Sequence, residues 1–138
     1  MSENEKRPAI LVVDDEEGLR ETVQRMLSVA YRVVGAADAV SAITLIKAEP
    51  PDLVLTDIYM PRGDGFELLN WMRDNVPDIP AVAMSGSSPT VGGNTRFDQL
   101  SIAQRLGAAA VLDKPFRQSH LLETIERVLS KGEPQARD

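Results

Sequence analysis

Five polar side chains stand where apolar runs stop: Asp14 and Asp15 after "LVV", Asp57 after "LVLT", Ser85 after "AVAM" and Lys114 after "AAVLD". If those runs are strands that end on one edge of a sheet, neighbours lie about 4.8 Å apart and the acids of the first and third runs fall within one ion's reach of each other. Two carboxylates about 4 Å apart repel by roughly 4 kcal/mol at an effective dielectric of 20, and a cluster of three carries several such terms. Whole-domain stability is only about 5–15 kcal/mol, so a proton or a divalent cation must relieve the cluster. An all-oxygen site with room for waters suits Mg²⁺, or Mn²⁺ in its place. A carboxylate held beside such an ion, a lysine and a hydroxyl can attack a phosphoryl group, and Asp57 is the candidate nucleophile. The metal and Lys114 would neutralise the equatorial phosphoryl oxygens, with Ser85 hydrogen-bonded to one of them. The same repulsion predicts that removing Asp14 or Asp57 stabilises the metal-free protein.

The elements that must position these groups are legible in the hydropathy pattern. "AILVV", "YRVVGA", "DLVLT", "IPAVAM" and "AAAVL" have strand length and alternate with stretches of helical period. Leu19, Val23, Met26 and Leu27 share one helical face, which leaves Arg20, Glu21, Gln24 and Arg25 outward. Asp38 is placed to cap a second helix through Lys47, and Asp64 a third in which Phe66, Leu69 and Met72 share a face. A fourth helix is expected around Phe97 to Leu106, and Leu121, Leu122, Ile125, Val128 and Leu129 mark the last. The strand runs are apolar throughout instead of alternating, so both sheet faces need helices over them, as in a parallel sheet. The expected fold is α/β, a three-layer, doubly wound (βα)5 with a five-stranded parallel sheet. If the sheet takes the order 2-1-3-4-5 of known doubly wound folds, an order borrowed from them and not fixed by these runs, its chain reversal and ligand site lie between strands 1 and 3 at their carboxyl ends.

Composition narrows the function. A chain of 138 residues, 43% hydrophobic and 26% charged, can bury a core without disulfides or metal staples, and residues 9–130 read as one domain between flexible tails at 1–8 and 131–138. The absence of cysteine agrees with a reducing compartment, and neither a signal peptide nor a membrane-length apolar run is present, so a cytoplasmic location is expected. A net charge of −6 with no basic stripe disfavours direct contact with nucleic acid or anionic membrane.

Taken singly, each group has an ordinary explanation. "DDEE" suits a helix start, Asp57 and Ser85 suit turns, and a lysine before proline is usually solvated. Their joint appearance on successive strand ends does not. From "ILVVDDEE" through "DLVLTDIYMPRGDG" and "AMSG" to "LDKPF", nearly the whole chain resembles the response-regulator receiver domains of bacterial two-component signalling, in their single-domain, CheY-like form. The resemblance implies a flavodoxin-like fold and transfer of a phosphoryl group onto Asp57 from a sensor histidine kinase or a histidine phosphotransfer protein. It also implies that Asp15 binds Mg²⁺ directly, that Asp14 assists through water, and that the Tyr59 backbone carbonyl completes the metal site with Asp57. Lys114 and Ser85 match the family's lysine and hydroxyl positions, and the Lys114–Pro115 bond is expected to be cis. Such a chain is not an enzyme on separate substrates; it catalyses only its own phosphorylation and dephosphorylation. Its switch would act through protein–protein contact on the fourth helix, fifth strand and fifth helix, or through onward phosphorelay, and a homodimer is compatible with either.

Two positions depart from the family pattern. Val111 stands where receivers often carry Tyr or Phe, and Gly63 replaces Met in "PRGDG". The stretch 86–96, "GSSPTVGGNTR", is long for an α/β connection; it is expected either to read partners in place of the aromatic or to be a tolerated surface insertion. His120, in a polar helix start, receives no role. A haloacid-dehalogenase-like phosphatase would share an Asp nucleophile, Mg²⁺, a hydroxyl and a lysine, but it needs "DxD" after the first strand, and Asp57 is followed by Ile58 and Tyr59. A flavin mononucleotide carrier needs a phosphate cradle after strand 1, where "DDEEG" repels phosphate.

Overall fold

The computed structural model of the chain describes residues 6–58, 60, 64–85, 101 and 103–132. In chain order these form β1 (Ala9–Val13), α1 (Glu17–Leu27), β2 (Arg32–Ala36), α2 (Ala39–Ala48), β3 (Leu53–Asp57), α3 (Asp64–Asn75) and β4 (Ala81–Ser85). Helical residues 101 and 103–105 (α4) precede β5 (Ala110–Asp113) and α5 (Gln118–Gly132). The strands pair in parallel in the order β2-β1-β3-β4-β5, as the apolar runs require. Tyr59, Gly63, residues 86–96 and part of the expected fourth helix lie outside the described residues.

Alternation along the strands divides the core into two layers. Leu11, Val13, Val54, Ala81 and Ala83 pack against α2, α3 and α4, through Ala42 and Ile46, Leu68, Leu69 and Met72, and Ala103. Ile10, Val12, Leu53, Leu55, Val82, Met84 and Leu112 pack against α1 and α5, through Val23, Leu27, Leu121, Ile125 and Val128. Fully burying one Leu, Ile or Val side chain contributes about 1.5–3 kcal/mol, so the layers together supply the main driving force for this topology.

The helix faces differ in part from the pattern-based expectation. Leu19, expected on the buried face, is 38% exposed. Arg20 and Gln24, expected outward, are half-buried: Arg20 bonds the Asp14 carbonyl at the rim, and Gln24 lies over Gly35 of the edge strand β2. Asp38 caps α2 as expected, accepting from Ser41 N at 2.8 Å. Asp64, expected just before α3, is its first helical residue. Arg7 donates to the Ser28 carbonyl while its own carbonyl accepts from Arg32, and α5 continues through Gly132. Among the described residues no helix is long and apolar enough to cross a membrane.

Candidate functional site

Strand register gathers the expected residues at one rim. Val13 pairs with Thr56 and Asp57 with Met84, so Asp14 and Asp57 emerge side by side from β1 and β3. Ser85 pairs with Asp113, which brings Lys114 to the same edge one residue later. Asp14, Asp57 and Lys114 continue the alternation of Val12, Leu55 and Leu112, the layer facing α1 and α5, and this shared side lets them meet. Asp14 and Asp57 are 1% and 5% exposed and Ser85 is equally buried, whereas Asp15 is open to solvent.

The Lys114 ammonium lies between the two buried acids, 3.3 Å from Asp14 Oδ2 and 3.2 Å from Asp57 Oδ2. Burial pulls its pKa down, but the carboxylates of Asp57 and Asp14 outweigh that effect and hold it above the ordinary lysine value. The lysine is thus a source of relief for the cluster beside the proton and the divalent cation considered from sequence. The expectation that losing Asp14 or Asp57 stabilises the metal-free protein therefore no longer follows, since either loss also takes a partner from a half-buried ammonium. The Lys114 amide also donates to the Ser85 carbonyl at 2.8 Å, which ties the lysine's strand end to the hydroxyl's. The Lys114–Pro115 peptide is cis, as expected.

Asp14 has every polar group engaged. Oδ1 accepts from Glu16 N at 3.0 Å, Oδ2 from Lys114, and the carbonyl from Arg20 Nη1 at 2.9 Å, while its amide donates to Ala36 O. Asp15, Asp14 and Asp57 each offer a carboxylate oxygen within 4.8 Å of the others. Three hard oxygen donors of this kind fit Mg²⁺ or Mn²⁺, and the set could hold such an ion. Tyr59, the remaining expected ligand, lies outside the described residues, so its carbonyl stays an expectation.

Two contributors were not identified from sequence. Helical periodicity alone places Arg20 outward, because it carries no sign of where the rim stands. Gly65, at the start of α3, lies so close to the end of β3 that an added Cβ would run into the carbonyl oxygens of Asp57 and Ile58 and sit 2.6 Å from Ile58 Cα. A glycine eight residues after Asp57 was the available signal. Val111 is half-buried and packs against the layer that holds Ala83 and Ala103.

Residues 10–126 match the family model described as the response regulator receiver domain. Among curated proteins, the response regulator MprA of Mycobacterium avium (strain 104) is 32% identical over 132 residues, which are 91% of this chain and 53% of that protein. The chain thus spans about half the length of the curated relatives it matches. Among solved structures, NtrX from Brucella abortus superposes with a TM-score of 0.82 at 33% identity, covering 91% of this chain and 27% of the other. A CheY-like response regulator receiver domain protein from Methanospirillum hungatei JF-1 gives 0.81 at 26% identity over 92% of this chain and 97% of the other.

Proposed function

Because the chain belongs to the response regulator receiver domain family, we propose that it accepts a phosphoryl group on Asp57 and relays that event to another protein. The observation that carries this reading is the single ammonium of Lys114 held on both buried acids at the carboxyl edge of the sheet. An Asp57 oxygen would attack phosphorus, forming an acyl phosphate P–O bond as the bond to the donor's leaving group breaks and that group departs with the electron pair. From a histidine kinase or a histidine phosphotransfer protein the leaving group is imidazole, which takes a proton from solvent. A bound Mg²⁺ would supply charge neutralisation for the transferring phosphoryl oxygens.

The chain's own residues would divide the remaining work. Asp15, exposed and next to the rim, would hold the ion directly with Asp57, together with the Tyr59 carbonyl. Asp14, with each oxygen already engaged, would act through water. Lys114 would move its contact from the Asp57 carboxylate to a phosphoryl oxygen, and Ser85 would donate to another. A contact that exists only in the phosphorylated form is what shifts a two-state equilibrium, so Ser85 and Lys114 are the proposed couplers to the protein-binding surface. Output is proposed to be contact with a partner protein or onward transfer to a histidine phosphotransfer protein.

The test is incubation with Mg²⁺ and a small acyl phosphate, followed by intact-mass measurement. One added phosphoryl group is expected, lost in Asp57→Asn and on chelation of Mg²⁺. An unchanged mass for the native chain, or undiminished labelling of Asp57→Asn, overturns the reading.

A further inference from the structure

The turn between β1 and α1 presents two of the three acids, yet α1 lacks the usual device for fixing its start. Its N-cap, Glu16, has extended backbone and makes no side-chain capping bond. Both ties inside the turn end on Asp14 instead: Glu16 N donates to Asp14 Oδ1, and Arg20 Nη1 donates to the Asp14 carbonyl at 2.9 Å. That carbonyl belongs to a residue 1% exposed and lies past the last β1 pairings, so it needs a donor that the sheet does not provide. Arg20 is itself anchored in the first turn of α1, its amide donating to Glu16 O at 2.9 Å.

The Asp14 carbonyl is part of the planar Asp14–Asp15 peptide unit. A donor fixed on that oxygen therefore sets the direction in which the chain leaves toward Asp15, the exposed acid. We infer that Arg20 is a positioning residue for the cation site, holding the Asp14–Asp15 peptide so that the Asp15 carboxylate converges with those of Asp14 and Asp57. The inference rests on the proposed function only in taking Mg²⁺ as the ion the three acids hold. Groups that orient the ligands of a metal typically change its affinity by about 10- to 100-fold when removed.

Charge and position pull in opposite directions here, which gives the test a sign. Arg20 is a cation beside a cation site, so electrostatics alone makes Arg20→Met bind Mg²⁺ more tightly. Positioning makes it bind less tightly. Mg²⁺ affinity is measured by calorimetry for the native chain, Arg20→Met and Arg20→Lys, with thermal melts in chelator to verify that each variant is folded. The expected result is about tenfold weaker binding by Arg20→Met and partial recovery by Arg20→Lys, which keeps the charge and one donor. In acyl phosphate labelling, the Mg²⁺ concentration for half-maximal rate should rise in Arg20→Met while the rate at saturating Mg²⁺ stays close to that of the native chain. Equal or tighter binding by folded Arg20→Met overturns the role of Arg20 and leaves the phosphoacceptor reading intact. Lysine and methionine variants equally weakened also overturn it, because then no donor at that position matters. A native chain that binds no Mg²⁺ overturns both.

Discussion

At the scale of single residues, Lys114 is the group whose chemistry is most constrained. Its ammonium serves two buried carboxylates, so Lys114→Met leaves both without it and is expected to cost about 2–3 kcal/mol in urea denaturation with chelator present. Folding raises the pKa of this lysine, so its contribution is complete below the unfolded value near 10.5 and disappears as pH climbs past the folded one. As pH is raised, the stability gap between the native chain and Lys114→Met should accordingly stay flat through neutrality and close in the alkaline range above about 10.5. A gap that closes near neutrality would refute the ion pair's role. Thr124 offers the opposite case. Among the described residues, its Oγ1 is a buried side-chain polar atom without a hydrogen-bond partner, so Thr124→Val should stabilise the protein by about 1 kcal/mol, read as a higher melting temperature.

At the scale of elements, the joint between β3 and α3 is set by Gly65. Alanine there meets backbone and not a movable side chain, so α3 or the acceptor strand end must shift; about 2–3 kcal/mol of destabilisation is expected, with slower acyl phosphate labelling. Native labelling rates in a destabilised Gly65→Ala would show that the acceptor end of β3 is indifferent to α3. The strands were the most legible elements, because uninterrupted apolar runs such as "LVLT" and "AVAM" have few other ways to be buried. Helix faces were legible only in part: Val23 and Leu27 are buried as their spacing predicts, but Leu19, Arg20 and Gln24 are not placed as periodicity alone places them. The acids, the hydroxyl and the lysine were legible in position because each ends its strand or lies within two residues of its end. Arg20 acts six residues away from the carbonyl it serves, a separation to which no hydropathy pattern points.

At the scale of the whole molecule, an ion held at the rim would couple binding to global stability. An ion that binds the folded chain alone stabilises it by about 2.7 kcal/mol at 100 times its dissociation constant. Saturating Mg²⁺ should therefore raise the melting temperature of the native chain by several degrees, and Asp15→Asn should lose most of that rise while melting normally in chelator; an equal rise in Asp15→Asn would place the ion elsewhere. The fold class was legible from the alternation of elements alone, whereas the strand order followed from the family pattern and not from any one run. Lys114 closes contacts across 100 residues to Asp14 and 57 to Asp57. Contacts so distant along the chain carry the loop-closure entropy of everything between them and are favoured once the intervening elements have folded. A half-synthesised or partly unfolded copy would carry Asp57 without its lysine, so phosphoryl acceptance at this rim would itself report that the chain had finished folding.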